Sequence, residues 1–145
     1  MIKIENRYLN FIVNSLSALK LDEKESSARR RFIRDLSPIR IANEVDQKEL
    51  RGRLCEKDEK GNLKVVDNEY CFKNVIIRKS FEEEWEKLNV ATFELQTDGR
   101  EKDIETIKKI INDEINKYKT AHKNFSDSEY DYVSSLQEFV DLLKI

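Results

Sequence analysis

Glycine and proline are scarce in this sequence, with three glycines and one proline among 145 residues. Glycine supplies the positive backbone torsions of tight turns and proline pre-sets turn geometry, so chains rich in loops or short strands contain more of both. Their scarcity excludes a chain made mostly of turns and flexible linkers. It favours long helices joined by short connections.

Cysteine and histidine are also rare: Cys55 and Cys71 are the only cysteines, and His122 is the only histidine. The cysteines lack the CxxC spacing of a zinc site, and no serine or cysteine adjoins His122 as a nucleophile. A chain of this length can bury a core without a disulfide or metal. We therefore expect a reduced cysteine pair, no metal and no cofactor.

Signatures of catalysis are missing too. The sequence contains no GxSxG, Walker, HExxH or dinucleotide-binding motif. Glu82, Glu83, Glu84 and Glu86 follow one another so closely that a helix would point them in different directions rather than at one substrate. We expect no enzymatic activity.

Long apolar runs and an excess of one charge are absent. No stretch approaches the roughly 20 apolar residues that span a bilayer, and the N-terminus does not resemble a signal peptide. Charged residues make up 39% of the chain, but 27 basic and 29 acidic side chains leave a net charge of −2. This balance suits solvated helix faces and argues against a general nucleic-acid binder or a highly acidic nucleic-acid mimic. The lack of a long apolar run argues against a membrane-spanning protein.

The longest helical pattern runs from Ser26 to Glu56, and we expect the rest of the chain to pack against it. Its apolar residues recur at intervals of three and four, with Asn43 in the same row: Phe32, Leu36, Ile39, Leu50 and Leu54. Ser26 or Ser27 could cap its start. Pro38 permits two interpretations, one bent helix or a second helix that Ser37 caps. Both place a kink near Ser37.

Periodicity elsewhere predicts a mainly α protein with a small antiparallel β element, in one domain of residues 1–145. Two helical hairpins flank either a β-hairpin, turning at Asp67 and Asn68, or a three-stranded sheet. Ser80 and Glu83 have the spacing of a capping box for the middle helix. The predicted helices cover about 5–19, 27–56, 81–88, 101–119 and 127–144, and the predicted strands cover about 62–66, 69–74 and 90–95.

The candidate binding surface is an arginine cluster on the long helix. Seven of the ten arginines fall between residues 29 and 53, and we select five as partner-binding residues: Arg29, Arg30, Arg31, Arg34 and Arg40. Guanidinium groups bind carboxylates, phosphates or an RNA backbone. The alternative is a solvated helix face that Asp35 and nearby acids partly neutralise.

Aromatic residues are concentrated in the middle third of the chain: Tyr70, Phe72, Phe81, Trp85 and Phe93. Interleaved with lysines, they could stack on RNA bases, as in sheet-based RNA-binding folds. Packing between the small sheet and the helices would use the same side chains. We favour the core interpretation.

Three segments carry a resemblance to a known family: Ser-Ala-Arg at 27–29, Glu-Lys-Asp-Glu-Lys-Gly-Asn at 56–62, and the acidic-aromatic start of the last helix at 129–132. Over about Leu9 to Leu143 the chain resembles small proteins of unknown function encoded by tailed phages and prophages of Gram-positive bacteria. Pro38 departs from the uninterrupted helix typical of such proteins. The resemblance implies a phage-encoded accessory or structural protein and assigns no reaction, cofactor or site.

Three functions follow from these features. The first is a protein-interaction protein of virion assembly or structure, self-associating through apolar helix faces. The second is an inhibitor of a host antiviral defence protein, and the third is a nucleic-acid-binding regulator that uses the arginine-rich helix. The expected partner is a phage structural protein or host defence protein, and the expected location is the host cytoplasm or the virion.

Overall fold

The computed structural model describes residues 2–121 and 124–143. Within these ranges it contains five helices and two separate two-stranded antiparallel sheets, which confirms the predicted mainly α fold. The elements are β1 (Ile2–Glu5), α1 (Tyr8–Ser17), α2 (Glu23–Leu54), β2 (Val65–Val66), β3 (Glu69–Tyr70), α3 (Val75–Val90), β4 (Thr92–Leu95), α4 (Glu101–Ala121) and α5 (Asp127–Leu142).

Helix α2 is the central element, and it is continuous through Pro38 over 32 residues. This excludes a second helix that begins at Pro38. The start predicted at residue 27 is wrong because the carboxylate of Asp22 accepts a hydrogen bond from the Glu25 amide at 2.7 Å and caps the helix earlier. The helix also ends at Leu54, two residues before the predicted end.

Pro38 is tolerated inside α2 because it lies on the exposed side of the helix. Proline has no amide hydrogen to donate to the carbonyl four residues earlier, which belongs to Arg34. Arg34 is also at an exposed position. One residue before the proline, the Ser37 hydroxyl donates to the Ile33 carbonyl at 3.0 Å.

The main hydrophobic core surrounds the N-terminal half of α2. Phe32 and Leu36 pack there with buried residues of α1, α4, α5 and the β1–β4 sheet. Helices α1 and α2 are antiparallel, since Asn10 contacts Arg40 while Leu16 contacts Arg29. Helices α4 and α5 form the second helical pair, and the rings of Tyr118 and Tyr132 lie 5.3 Å apart beside their connection.

The C-terminal half of α2 packs instead against α3. Leu50 is buried there, but α3 contains no fully buried residue. Three aromatic rings of this region contact one another beside α2. The rings of Phe81 and Trp85 are stacked with centroids 5.6 Å apart, and the ring of Phe72 is tilted against Phe81 at 5.1 Å. They form a small half-buried cluster, and Phe93 belongs to the main core.

Strand β1 is a correction to the helix predicted from residue 5. Ile2 and Ile4 pair with Leu95 and Phe93, and all four side chains are buried on one face of the β1–β4 sheet. The three-stranded alternative, with β4 beside the hairpin, is therefore wrong. The partner of β4 lies about ninety residues earlier in the chain, and local periodicity carries no information about such distant pairing.

The β2–β3 hairpin turns at Asp67 and Asn68 as predicted, with φ of 51° and 63°. These values are those of a type I′ turn, whose twist matches paired strands. Its strands are shorter than predicted. Helix α3 begins at Val75 rather than 81 because Asn74, not Ser80, caps it through a 2.9 Å bond from the Ile77 amide.

The two C-terminal helices agree closely with prediction. Helix α4 extends two residues beyond the predicted 119, and α5 begins at Asp127 behind a capping box formed by Ser126 and Glu129. Helix α5 ends at Leu142, and residue 144 of the predicted range lies outside the described residues.

Asn43 is the polar exception in the buried row of α2. It is 7% exposed, and its Oδ1 has no hydrogen-bond partner among the described residues.

Because an unpaired buried amide is costly, we expect Asn43→Leu to raise the free energy of unfolding by about 1–2 kcal/mol in urea denaturation. Leu50→Ala, a cavity-forming control in the same row, should lower it by about 2–4 kcal/mol. A destabilising Asn43→Leu would mean that the amide is satisfied.

Candidate interaction surface

Arg29 closes the C-terminal end of α1. Its guanidinium donates to the carbonyl oxygens of Leu16 at 2.8 Å and Leu19 at 2.6 Å. The last carbonyls of a helix lack partners within the helix and carry partial negative charge, so a cation is favourable there. Arg29 thus holds the α1–α2 connection.

Arg31 joins α2 to α4. Its Nε and one terminal nitrogen donate to the two carboxylate oxygens of Asp103 at 2.7 and 2.8 Å. This two-bond pairing matches the planar guanidinium to the planar carboxylate. The hydrogen bonds from Arg31, with its positive charge, lower the pKa of Asp103 although partial burial opposes the change.

A second ion pair joins the same two parts of the chain, but here the carboxylate lies on α2 and the arginine lies on the α4 side. Arg100, before the first turn of α4, donates to Asp35 of α2 at 2.6 and 3.4 Å. Asp35 therefore neutralises an arginine of α4 rather than one of the predicted cluster. The two pairs fix the register of α2 against α4.

Arg40 is also engaged within the fold. Its Nε donates to Oδ1 of Asn10 in α1 at 2.9 Å and lies 3.6 Å from a carboxylate oxygen of Glu44. Three of the five predicted binding arginines, Arg29, Arg31 and Arg40, thus make contacts that a partner would have to break.

Arg30 and Arg34 differ from these three. Both are exposed, and neither makes a hydrogen bond or ion pair with any residue in the described ranges. They are one helical turn apart and therefore project from the same side of α2. The predicted arginine cluster therefore divides into two sets. Arg29, Arg31 and Arg40 make contacts within the fold, whereas Arg30 and Arg34 are exposed, and we call these two the open arginines.

Two exposed apolar residues continue the line of the open arginines. Ile41 and Val45, at 61% and 60%, are the exposed large hydrophobic side chains of α2. At 100° per residue, Arg30, Arg34, Ile41 and Val45 fall within a sector of about 60°, opposite the buried row. With Lys48 we call these five residues the outer face of α2.

Sequence clustering predicts only part of the outer face of α2. It indicates Arg30 and Arg34 but not Ile41 and Val45. A helical projection could have found them: both lie opposite the row of Phe32, Asn43 and Leu50, where an amphipathic helix normally carries polar side chains.

The surroundings of Arg34 do not form a pocket for a small anion. An open cleft of about 500 Å³ lies between α2 and the start of α4, and its lining includes Arg34 and Arg100. Glu94, Asp98 and Asp35 line the same cleft, so its charges are mixed. A negatively charged small molecule would meet carboxylates there.

The other residues that the sequence offers as candidates for catalysis or metal binding do not come together in a site within the described ranges. Glu84 pairs with Arg53 and Glu82 with Arg78, so the glutamates of α3 do not converge. Residues 2–121 and 124–143 contain no group of three His, Cys, Asp or Glu side chains able to hold a metal ion. His122 lies outside the described residues. Within the same ranges, no helix combines the length and apolar character required to cross a membrane.

Stability measurements should distinguish the structural arginine from the open one. We expect Arg31→Ala to lower the urea midpoint at pH 7, because Asp103 loses its hydrogen-bonded partner. Arg34→Ala should lower it much less, because the charge of Arg34 makes only the last and smallest contribution to the lowered pKa of Asp103. Asp103 has a folded-state pKa below its unfolded value, so the contribution of the pair is present above about pH 4 and is lost as the pH falls through the folded pKa. The difference between the variants should therefore shrink in acid. Equal midpoints at pH 7 would contradict the assignment.

Comparison with models of known protein families, with curated proteins and with solved structures finds no match to this chain. The resemblance to phage-encoded proteins therefore stays a prediction from the three segments that suggested it. A function for the chain must be inferred from its surface chemistry.

Proposed function

We propose that the chain is a non-enzymatic protein-interaction protein that binds a partner protein through the outer face of α2. The observation that carries this proposal is the alignment of two unpaired arginines with two exposed apolar side chains on the central helix. The remaining arginines of the predicted cluster are used within the fold and are not part of the proposed surface.

Arginine beside apolar side chains is the composition of a protein interface rather than of an ordinary solvated helix. Interface cores are enriched in arginine and apolar residues and depleted in other charged groups. An ordinary outward face would carry polar side chains at positions 41 and 45. Valine and isoleucine are also poorer helix formers than lysine or glutamate, so local helix stability does not account for them.

The residues of the outer face of α2 indicate which groups a complementary partner surface must carry. It should present apolar side chains to Ile41 and Val45, and carboxylates to Arg30 and Arg34 about two to four helical turns away. The four residues cover about 22 Å of α2, which a single helix or strand pair of a partner could match. We propose a phage structural protein as this partner, with the chain acting as an accessory to virion assembly.

Nucleic acid is a weaker partner for this surface. Binding through phosphates requires many uncompensated cations, and the affinity then falls steeply with salt. Only Arg30, Arg34 and Lys48 supply positive charge on the outer face, and Ile41 and Val45 offer nothing to a phosphate backbone. Nuclease treatment during capture removes any partner held through nucleic acid.

The test begins with affinity capture from nuclease-treated lysates of infected and uninfected Gram-positive cells. Each captured protein is then purified and its Kd for the chain is measured directly. A phage structural protein that binds would support virion assembly. A host defence protein that binds would replace that role with inhibition of host defence.

We expect Arg30→Ala/Arg34→Ala, and separately Ile41→Glu/Val45→Glu, to weaken binding of the purified partner about tenfold or more. None of the four side chains is buried, so the variants should retain the wild-type melting temperature. The matched control, Lys102→Ala/Lys119→Ala, removes two exposed cations from α4 and should bind normally. Undiminished binding by both outer-face variants would refute the proposed surface.

A further inference from the structure

The segment between α2 and α3 brings the two cysteines together. The Glu56 amide donates to the Cys71 carbonyl at 2.8 Å, the Lys64 amide to the Glu56 carbonyl at 2.9 Å, and the Cys71 amide to the Lys64 carbonyl at 3.2 Å. Three stretches of chain therefore lie side by side at the end of α2. Cys55, the residue after the last helical position, stands directly beside Cys71.

Covalent geometry limits the distance between these cysteines. The Cα of Cys55 is one peptide bond from the donating amide, and the Cα of Cys71 carries the accepting carbonyl. With standard bond lengths, their Cα atoms cannot be more than about 7.6 Å apart. Disulfides join Cα atoms roughly 4.4–6.8 Å apart, a range within this limit. The hydrogen bond therefore keeps the two residues close enough for a small adjustment of the backbone, or none, to bring them to bridging distance.

We propose that Cys55 and Cys71 form a reversible disulfide that locks the β2–β3 segment to the end of α2. Both thiols are free in the reduced protein. This modification site is separate from the proposed binding surface, because neither cysteine belongs to the outer face of α2.

The different exposure of the two thiols sets the order of the reaction. Cys71 is half-buried and Cys55 is buried, so a low-molecular-weight disulfide such as oxidised glutathione reaches Cys71 first. The Cys71 thiolate attacks one sulfur of the oxidant, forms a mixed disulfide and expels one glutathione thiolate. The Cys55 thiolate then attacks Sγ of Cys71, closes the internal bridge and expels the second glutathione.

The two protein thiols thus lose two protons and two electrons, and one oxidised glutathione becomes two reduced ones. Burial raises the pKa of Cys55, whereas the charge of nearby Arg51 lowers it; Cys71 carries no charge once it is in the mixed disulfide. Since the thiolate is the nucleophile, the second step should be faster at higher pH.

The disulfide would close a loop that contains the entire hairpin. In the reduced protein this loop is held by a few backbone bonds and by contacts of Tyr70 with Arg51 of α2. Val65 and Val66 are exposed, so the hairpin itself buries little. Oxidation should therefore restrict local opening of residues 56–70 without changing the remaining fold.

The experiment treats the dilute native chain with oxidised glutathione and follows it by intact mass and by tryptic digestion. We expect a mass loss of about 2 Da, no glutathione adduct, and no intermolecular dimer. Trypsin cleavage between Lys57 and Lys64 should give fragments that separate only after reduction. Closing a loop of this size should raise the melting temperature by about 5–10 °C.

Single-cysteine variants complete the test. Cys55→Ser should stop at the mixed disulfide on Cys71, whereas Cys71→Ser should react slowly because its remaining thiol is buried. A wild-type chain that accumulates the glutathione adduct, forms only intermolecular dimers, or closes the bridge only in urea would overturn the proposal. None of these outcomes depends on whether the outer face of α2 binds a partner.

Discussion

A single buried row along α2 organises the molecule. Phe32 and Leu36 enter the core shared by α1, α4, α5 and the β1–β4 sheet, and Leu50, in the same row, packs on the side of α3. A helix can present one row to two different sets of neighbours only if its backbone remains continuous. The helix therefore depends on tolerating Pro38. Both the proline and Arg34, whose carbonyl it leaves without a donor, occupy exposed positions.

The same continuity determines the opposite side of α2. Arg30 and Arg34 precede the proline in the chain, and Ile41 and Val45 follow it. These pairs form one surface only because the helix does not restart at residue 38. A break there would rotate the apolar pair away from the arginines by an amount that nothing in the local sequence defines. The proposed partner surface is thus a consequence of the same constraint that builds the core.

Sequence patterns predicted the elements whose determinants are local. The turn at Asp67 and Asn68 and the boundary of α5 at Ser126 depend on residues within a few positions of one another. Strand β1 was missed because Ile4 satisfies a helical spacing with Tyr8, four residues later, as well as a strand alternation with Ile2. Its identity depends on pairing with β4, far along the chain.

The arginines predicted to bind a partner show the same division. Their number and clustering can be read from the sequence, but Arg31 is separated by 72 residues from the carboxylate that binds it. Arg34, three residues later, has no such partner within the described ranges. Only the packing of α4 against α2 distinguishes the two. Residue type therefore predicted a surface, and tertiary structure reduced it to the two arginines that remain open.

Continuity of α2 is tested most directly by a distance measured across Pro38. Spin labels at Arg30→Cys and Gly52→Cys, in a chain with Cys55 and Cys71 replaced by serine, occupy exposed positions on the same side of α2. For one continuous helix we predict a narrow distribution centred near 33 Å, as narrow as that of labels at Lys102→Cys and Lys119→Cys on α4. A broad distribution, or one centred well below this value, would show that α2 bends or breaks at the proline and would contradict the shared outer face.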